Sequence, residues 1–94
     1  MRPHNESRLF VGNLPEDITK DALRRIFEQC GEVRDVYIPY QRTKDGRLTY
    51  KSKGFAFIEM DCPEDARVGI EIWNEKSVFD DGQKIVVRIA NERA

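Results

Sequence analysis

Residues 53 to 60 carry two interleaved rows of side chains that no single environment satisfies. Gly54, Ala56, Ile58 and Met60 form one row, and Lys53, Phe55, Phe57 and Glu59 form the other. Alternation by two is the signature of a β-strand, whose successive side chains point to opposite faces of a sheet. The small and aliphatic row suits packing beneath helices. The second row then belongs to the uncovered face, where it sets two phenylalanines against solvent. Residues 8–13 repeat the pattern, with Leu9 and Val11 facing one way and Phe10 the other. A chain with two such strands needs a two-layer fold with one face closed and one open.

The remaining segments supply the closed layer. Thr19 is a good helix N-cap, Asp21 sits where the helix dipole favours an acid, and Leu23, Ile26, Phe27 and Cys30 recur at i, i+3, i+4 and i+7. Gly31 is expected to end that helix as a left-handed cap. Residues 33–40 read as a second strand, with Val36 and Ile38 on one side and Tyr37 on the other. Asp61, Pro63 and Glu64 have the spacing of a helix start with a capping box. Ala66, Gly69, Ile70 and Trp73 then give the second apolar stripe. Asp81-Gly82 marks a turn, and residues 84–90 form the last strand, with Ile85, Val87 and Ile89 on one side. The order is βαββαβ: an α+β sandwich with a four-stranded antiparallel sheet and two helices on one face. Its core is expected to contain Leu9, Val11, Leu23, Ile26, Phe27, Val36, Ile38, Ala56, Ile58, Ala66, Ile70, Trp73, Ile85 and Val87. Gly54 and Ala56 are expected to let the helices sit close to the sheet.

Ninety-four residues are enough for one domain and one core. No stretch of about 18 apolar residues is present, so no membrane span is expected. The two cysteines, Cys30 and Cys62, stand apart, and the one histidine is His4, so neither a disulfide framework nor a metal site is expected. A reducing intracellular compartment, nucleus or cytoplasm, fits this cysteine usage and a polar N-terminus without an apolar signal core. Residues 1–7 read as a flexible lead-in, 8–91 as the domain, and 92–94 as the way into further sequence of a longer protein.

The net charge of −1 hides a segregated distribution. Residues 40 to 53 hold Arg42, Lys44, Arg47, Lys51 and Lys53 against Asp45 alone, a local +4, and the rest of the chain carries −5. A positive loop beside a face bearing Phe10, Phe55, Phe57 and Tyr37 suits single-stranded nucleic acid. Bases stack on the rings, at about 1–3 kcal/mol each, and the cations hold phosphates. The competing reading is that Phe55 and Phe57 are core residues, covered by a terminal extension or a partner chain.

Lys53-Gly54-Phe55-Ala56-Phe57-Ile58-Glu59-Met60 resembles the octamer of the RNA recognition motif family, [Lys/Arg]-Gly-[Phe/Tyr]-[Gly/Ala]-Phe-Val-x-[Phe/Tyr]. Ile58 stands for Val, and Met60 departs at a position that should face the core. Leu9-Phe10-Val11-Gly12-Asn13-Leu14 is similar to the family's hexamer throughout. The resemblance covers about residues 7 to 91. It implies the ferredoxin-like form of the βαββαβ sandwich and binding of single-stranded RNA, with single-stranded DNA as a related ligand. It further implies that Phe10 and either Phe55 or Phe57 stack under a base or against a sugar. Lys53 then pairs with a phosphate, Asn13 supports the loop after the first strand, and Arg88 and Asn91 contact a base at the end of the last strand. Tyr37 enters from strand parity alone. The loop between the second and third strands is longer than the family's usual one.

Other functions fit the residues less well. Val68 and Ile72 lie on the outer side of the second helix and offer an alternative docking surface for a partner protein or a second copy. Family members that bind peptides do so through Arg-x-Phe after that helix, and here Ser77-Val78-Phe79 lacks the arginine. An enzyme needs a nucleophile and base, and no Ser/His/Asp or Cys/His set or phosphate-binding glycine loop exists. No cofactor, membrane or small-molecule substrate is expected.

Overall fold

The computed structural model describes residues 7–79 and 82–90. Along the chain run β1 (Arg8–Gly12), α1 (Lys20–Phe27), β2 (Val33–Tyr37), β3 (Tyr40–Arg42), β4 (Leu48–Ser52), β5 (Phe55–Met60), α2 (Pro63–Trp73) and β6 (Val86–Ile89). Four strands form one antiparallel sheet in the order β2-β5-β1-β6, and β3 and β4 pair apart from it as a two-stranded ribbon. The two phenylalanine-bearing strands therefore lie side by side at the centre of the sheet.

Register turns sequence parity into two faces. Leu9 stands opposite Ile58 and Val11 opposite Ala56, and all four are fully buried. Phe10, one residue out of phase, stands opposite Phe57 on the other face. Leu23 and Phe27 of α1 and Ala66 of α2 close the covered face with no exposed surface. Ile26, Ile70 and Trp73 pack at its margin, half-buried. At Gly69 a β-carbon would come within 3.3 Å of Leu9 Cδ1 and of Phe27 Cδ1, so the absent side chain is what lets α2 settle onto both. The close-packing role expected of Gly54 and Ala56 falls to Ala56 and Gly69. Gly54 has φ 94°, and a β-carbon there would meet nothing nearer than the Leu14 carbonyl oxygen at 3.8 Å. It is required by its backbone conformation, not by space.

Local signals hold in part. Thr19 caps α1, its Oγ1 accepting the Ala22 N–H at 3.1 Å. Gly31 is not the left-handed cap: α1 closes at Glu28 in the right-handed conformation, with the Glu28 N–H donating to the Arg24 carbonyl at 2.8 Å. Gly31 instead lies where a β-carbon would collide with the Asp65 carboxylate, so it seats α1's exit against α2. Asp61 does not cap α2. Cys62 occupies that position without a side-chain hydrogen bond, Pro63 starts the helix, and Asp61 faces Arg34 in an exposed ion pair at 3.7 Å. Cys30 and Cys62 are free thiols, and burial pushes the Cys30 thiol above its ordinary pKa.

All four sheet strands are shorter than their sequence patterns, β1 by one residue and β5 by the two that precede Phe55. Pro39 has no N–H to continue a ladder, and β2 stops at Tyr37. The last strand begins at Val86 because Ile85 is engaged elsewhere. Its N–H donates to Lys76 at 3.0 Å and its carbonyl accepts from Glu75 at 2.7 Å, tying it to the exit of α2. The Asp81 half of the expected turn and the ends assigned to residues 1–6 and 91–94 lie outside the described residues.

The positive loop expected between the second and third strands is the ribbon, Tyr40–Arg42 paired with Leu48–Ser52. Its root is held by Ser52, which is fully buried. The Ser52 hydroxyl donates to the Pro15 carbonyl at 3.0 Å and accepts the Gly54 N–H at 3.1 Å, and the Ser52 N–H donates to the Glu16 carbonyl at 2.8 Å. Gln41 adds bonds to the Ser52 carbonyl at 2.8 Å and to Glu16 Oε2 at 3.2 Å. These bonds fasten the ribbon to the turn after β1.

Candidate nucleic-acid interface

On the uncovered face, cross-strand register builds a row that traverses the whole sheet: Tyr37, Phe57, Phe10 and Arg88, one residue from each strand. With strands about 4.8 Å apart the row is roughly 14 Å long, the reach of two or three stacked bases. Phe55 joins it from the next level, opposite Gly12. The Phe10 and Phe55 ring centres are 5.8 Å apart with planes 27° from parallel, and Tyr37 lies 6.4 Å from Phe57 at 21°. Phe57 meets Phe10 and Phe55 edge-on at 5.9 and 5.8 Å. Neither α1 nor α2 covers these rings, which lie on the face opposite the buried row of Leu9, Val11, Ala56 and Ile58. They are half-buried rather than fully solvated because they shield one another. Tyr37, at the edge, is 55% exposed.

Two guanidinium groups lie on the rings. Arg88 Cζ is 4.9 Å from the Phe10 centroid and Arg8 Cζ is 4.8 Å from that of Phe57. Each such contact contributes about 0.5–1 kcal/mol where solvent reaches it. Beyond Phe57 the surface turns acidic. Asp35, Glu59 and Arg8 line a hollow of about 150 Å³ together with Tyr37 and Phe57.

Asn13 closes β1 in the left-handed conformation, with φ 62°. Its Nδ2 donates to the Lys84 carbonyl at 2.7 Å and to Gln83 Oε1 at 3.4 Å, so it straps the start of the loop after β1 to the entry of β6. Lys44, Arg47 and Lys51 are exposed along the ribbon. Arg42 Nη1 donates to the Gly46 carbonyl at 2.8 Å, folding that side chain over its own turn. Lys53 does not continue the ring row. The strand proper begins at Phe55, after the positive φ of Gly54, and Lys53 lines a cleft beside β2 that Tyr37 of the row also borders. Asn91 lies outside the described residues. Among the described residues no His, Cys, Asp and Glu group could hold a metal ion, and no helix is long and apolar enough to cross a membrane. Val68 and Ile72 are exposed on α2.

Residues 9–81 match the model of the RNA recognition motif. The chain belongs to that family. This RNA recognition motif is 36% identical over 91 residues to the "31 kDa ribonucleoprotein, chloroplastic" of Nicotiana sylvestris, covering 97% of this chain and 27% of that protein. The chain thus spans little more than a quarter of that relative's length. Among solved structures, RNA binding protein PG1 superposes with a TM-score of 0.77 at 32% identity, covering 94% of this chain and 98% of the other. The Sxl-lethal protein/RNA complex superposes with a TM-score of 0.74, also at 32% identity, over 96% of this chain and 53% of the other.

Two residues of this motif's open face escaped the sequence reading although parity marks both. Arg8 is two residues before Phe10 and shares its side of β1. Gly12 is two residues after, and a β-carbon there would come within 2.9 Å of Phe10 Cε2 and 3.1 Å of Cζ. The bare position at Gly12 is the seat on which the Phe10 ring lies.

Proposed function

We propose that this chain is a single-stranded RNA-binding module that stacks bases on its open sheet face and performs no chemistry. The observation that carries the reading is the row of rings running across three of the four strands, completed by Arg88 on the fourth and left bare by the helices. Phe10, Phe55 and Phe57 stack bases or sugars, Tyr37 extends the surface, and Arg88 reaches a base edge beside Phe10. Asn13 holds the rim of the platform through its strap to Lys84. Lys44, Arg47 and Lys51 hold phosphates on the ribbon, and Asn91 adds a contact after β6. The ribonucleoprotein name of the Nicotiana relative and the RNA in the Sxl-lethal complex support the same ligand. Two or three stacked bases and a few phosphates give about 8 kcal/mol, near micromolar affinity. The binding unit is residues 8–91, and an intracellular location goes with the function, as in the chloroplastic relative.

Amide chemical-shift mapping against short RNA and DNA oligonucleotides tests the reading. Shifts are expected along β1, β2, β5 and β6 and on the ribbon, with RNA and DNA compared on the same residues. Shifts confined to α1 and α2 exclude it and point instead to the outer face with Val68 and Ile72.

The seat beneath Phe10 gives a sharper prediction. Gly12→Ala places a methyl against the far end of a movable ring, so the ring shifts and the backbone does not. The variant should stay folded, lose the Phe10–Phe55 stacking and bind RNA about three- to tenfold more weakly, a fraction of one stacked base. Wild-type affinity with an altered Phe10 ring environment would show that the ring's placement is irrelevant to binding.

A further inference from the structure

Between the ribbon and the sheet edge at β2 lies a cleft of about 360 Å³. Its walls carry Lys20, Arg42 and Lys53, together with Tyr37, Tyr40 and Leu48, and no acidic side chain lines it. The three cations come from three separate parts of the chain. Lys20 opens α1, Arg42 ends β3, and Lys53 sits in the link between β4 and β5, where its N–H is held by the Pro39 carbonyl at 3.0 Å. Such convergence in a chain of net charge −1 is a local field for an anion.

The Tyr37 side chain belongs to this cleft and also to the acidic hollow beyond Phe57. A strand stacked on Phe57 and Tyr37 therefore meets surfaces of opposite sign on the two sides of Tyr37. Toward Asp35 and Glu59, phosphates face two carboxylates against the single guanidinium of Arg8. Toward the ribbon, they face three cations with an apolar floor from Tyr40 and Leu48. The volume lies at the small end of ligand sites, about 300–1,000 Å³, and is of the size for one nucleotide.

We propose that the cleft under the ribbon is an extension subsite for one further nucleotide of a bound strand. Its phosphate is held among Lys20, Arg42 and Lys53, and its base or sugar lies against Tyr40 and Leu48. This rests on the platform reading above, and extends it by naming where the strand leaves the sheet.

Length dependence separates the two. The probes are mixed-sequence single-stranded RNA pools of three and seven nucleotides, the shorter just long enough for the ring row. Lys20 and Leu48 line the cleft without belonging to the ring row, and both are exposed, so Lys20→Ala and Leu48→Ala should fold. Each is expected to weaken the seven-nucleotide pool about three- to tenfold and to leave the three-nucleotide pool unchanged, as loss of one exposed phosphate or packing contact implies. Lys20→Ala should also lower the salt slope of the longer pool by about 0.7, and Lys20→Arg should restore it. Equal effects on both pools, or none on either, overturn the subsite while the platform stands. Failure of both pools to shift the β1 and β5 amides of the wild type overturns the platform reading itself.

Discussion

Phe55→Ala combined with Phe57→Ala should leave a folded domain that no longer holds single-stranded RNA. The two rings lie on the open face of β5, and the row that supports the core (Ala56, Ile58 and Met60) is untouched by the change. Two stacking contacts at about 1–3 kcal/mol each amount to about a thirtyfold loss of affinity at the lower end and about twenty-thousandfold at the upper end. Anisotropy titrations report the loss, and an unchanged far-UV spectrum shows that the fold persists. Binding at wild-type strength in this variant removes stacking as the mechanism.

The same substitution one layer away should have the opposite outcome. Phe27, at the end of α1, has no exposed surface, and its ring lies against the bare position of Gly69 on α2. Phe27→Ala deletes a ring from a closed interior and leaves a cavity, at a cost of about 3–5 kcal/mol. A domain of this size has about 5–15 kcal/mol in all, so the variant should unfold tens of degrees earlier or fail to fold at 37 °C. Urea denaturation measures it, and a shift under 1 kcal/mol would mean that Phe27 is not a core anchor. Side by side, the two variants separate a phenylalanine that builds the molecule from one that serves its surface.

Parity made the platform readable in advance. Phe10, Phe55 and Phe57 were assigned to one face by counting in twos from Leu9 and Ile58, and register placed them there. The α1 start was equally plain in Thr19, because capping is a contact between residues three apart. What failed depended on partners far along the chain. The ribbon is set by Ser52 reaching Pro15 and Glu16, and nothing local at residues 41–52 announces those bonds. Lys53 looked like part of the ring row because its number has the right parity. It lies ahead of β5, which starts at Phe55 after the positive φ of Gly54, and it lines the cleft beside β2. Asp61 had the spacing of a cap and stands next to Arg34 instead, since Cys62 and Pro63 already begin the helix. Lys20 carried no signal at all: a lysine at a helix start has meaning only once β2 and the ribbon are folded beside it.

The guanidiniums of Arg8 and Arg88, resting on Phe57 and Phe10, have one more effect. Three bare phenylalanines in a row invite other molecules of the same kind to stick. A charged, hydrated cover on two of them keeps the protein dispersed while it is empty. On the proposed reading recognition is an exchange: bases take the place of the cations on the rings, and Arg88 swings to the edge of the base that displaces it.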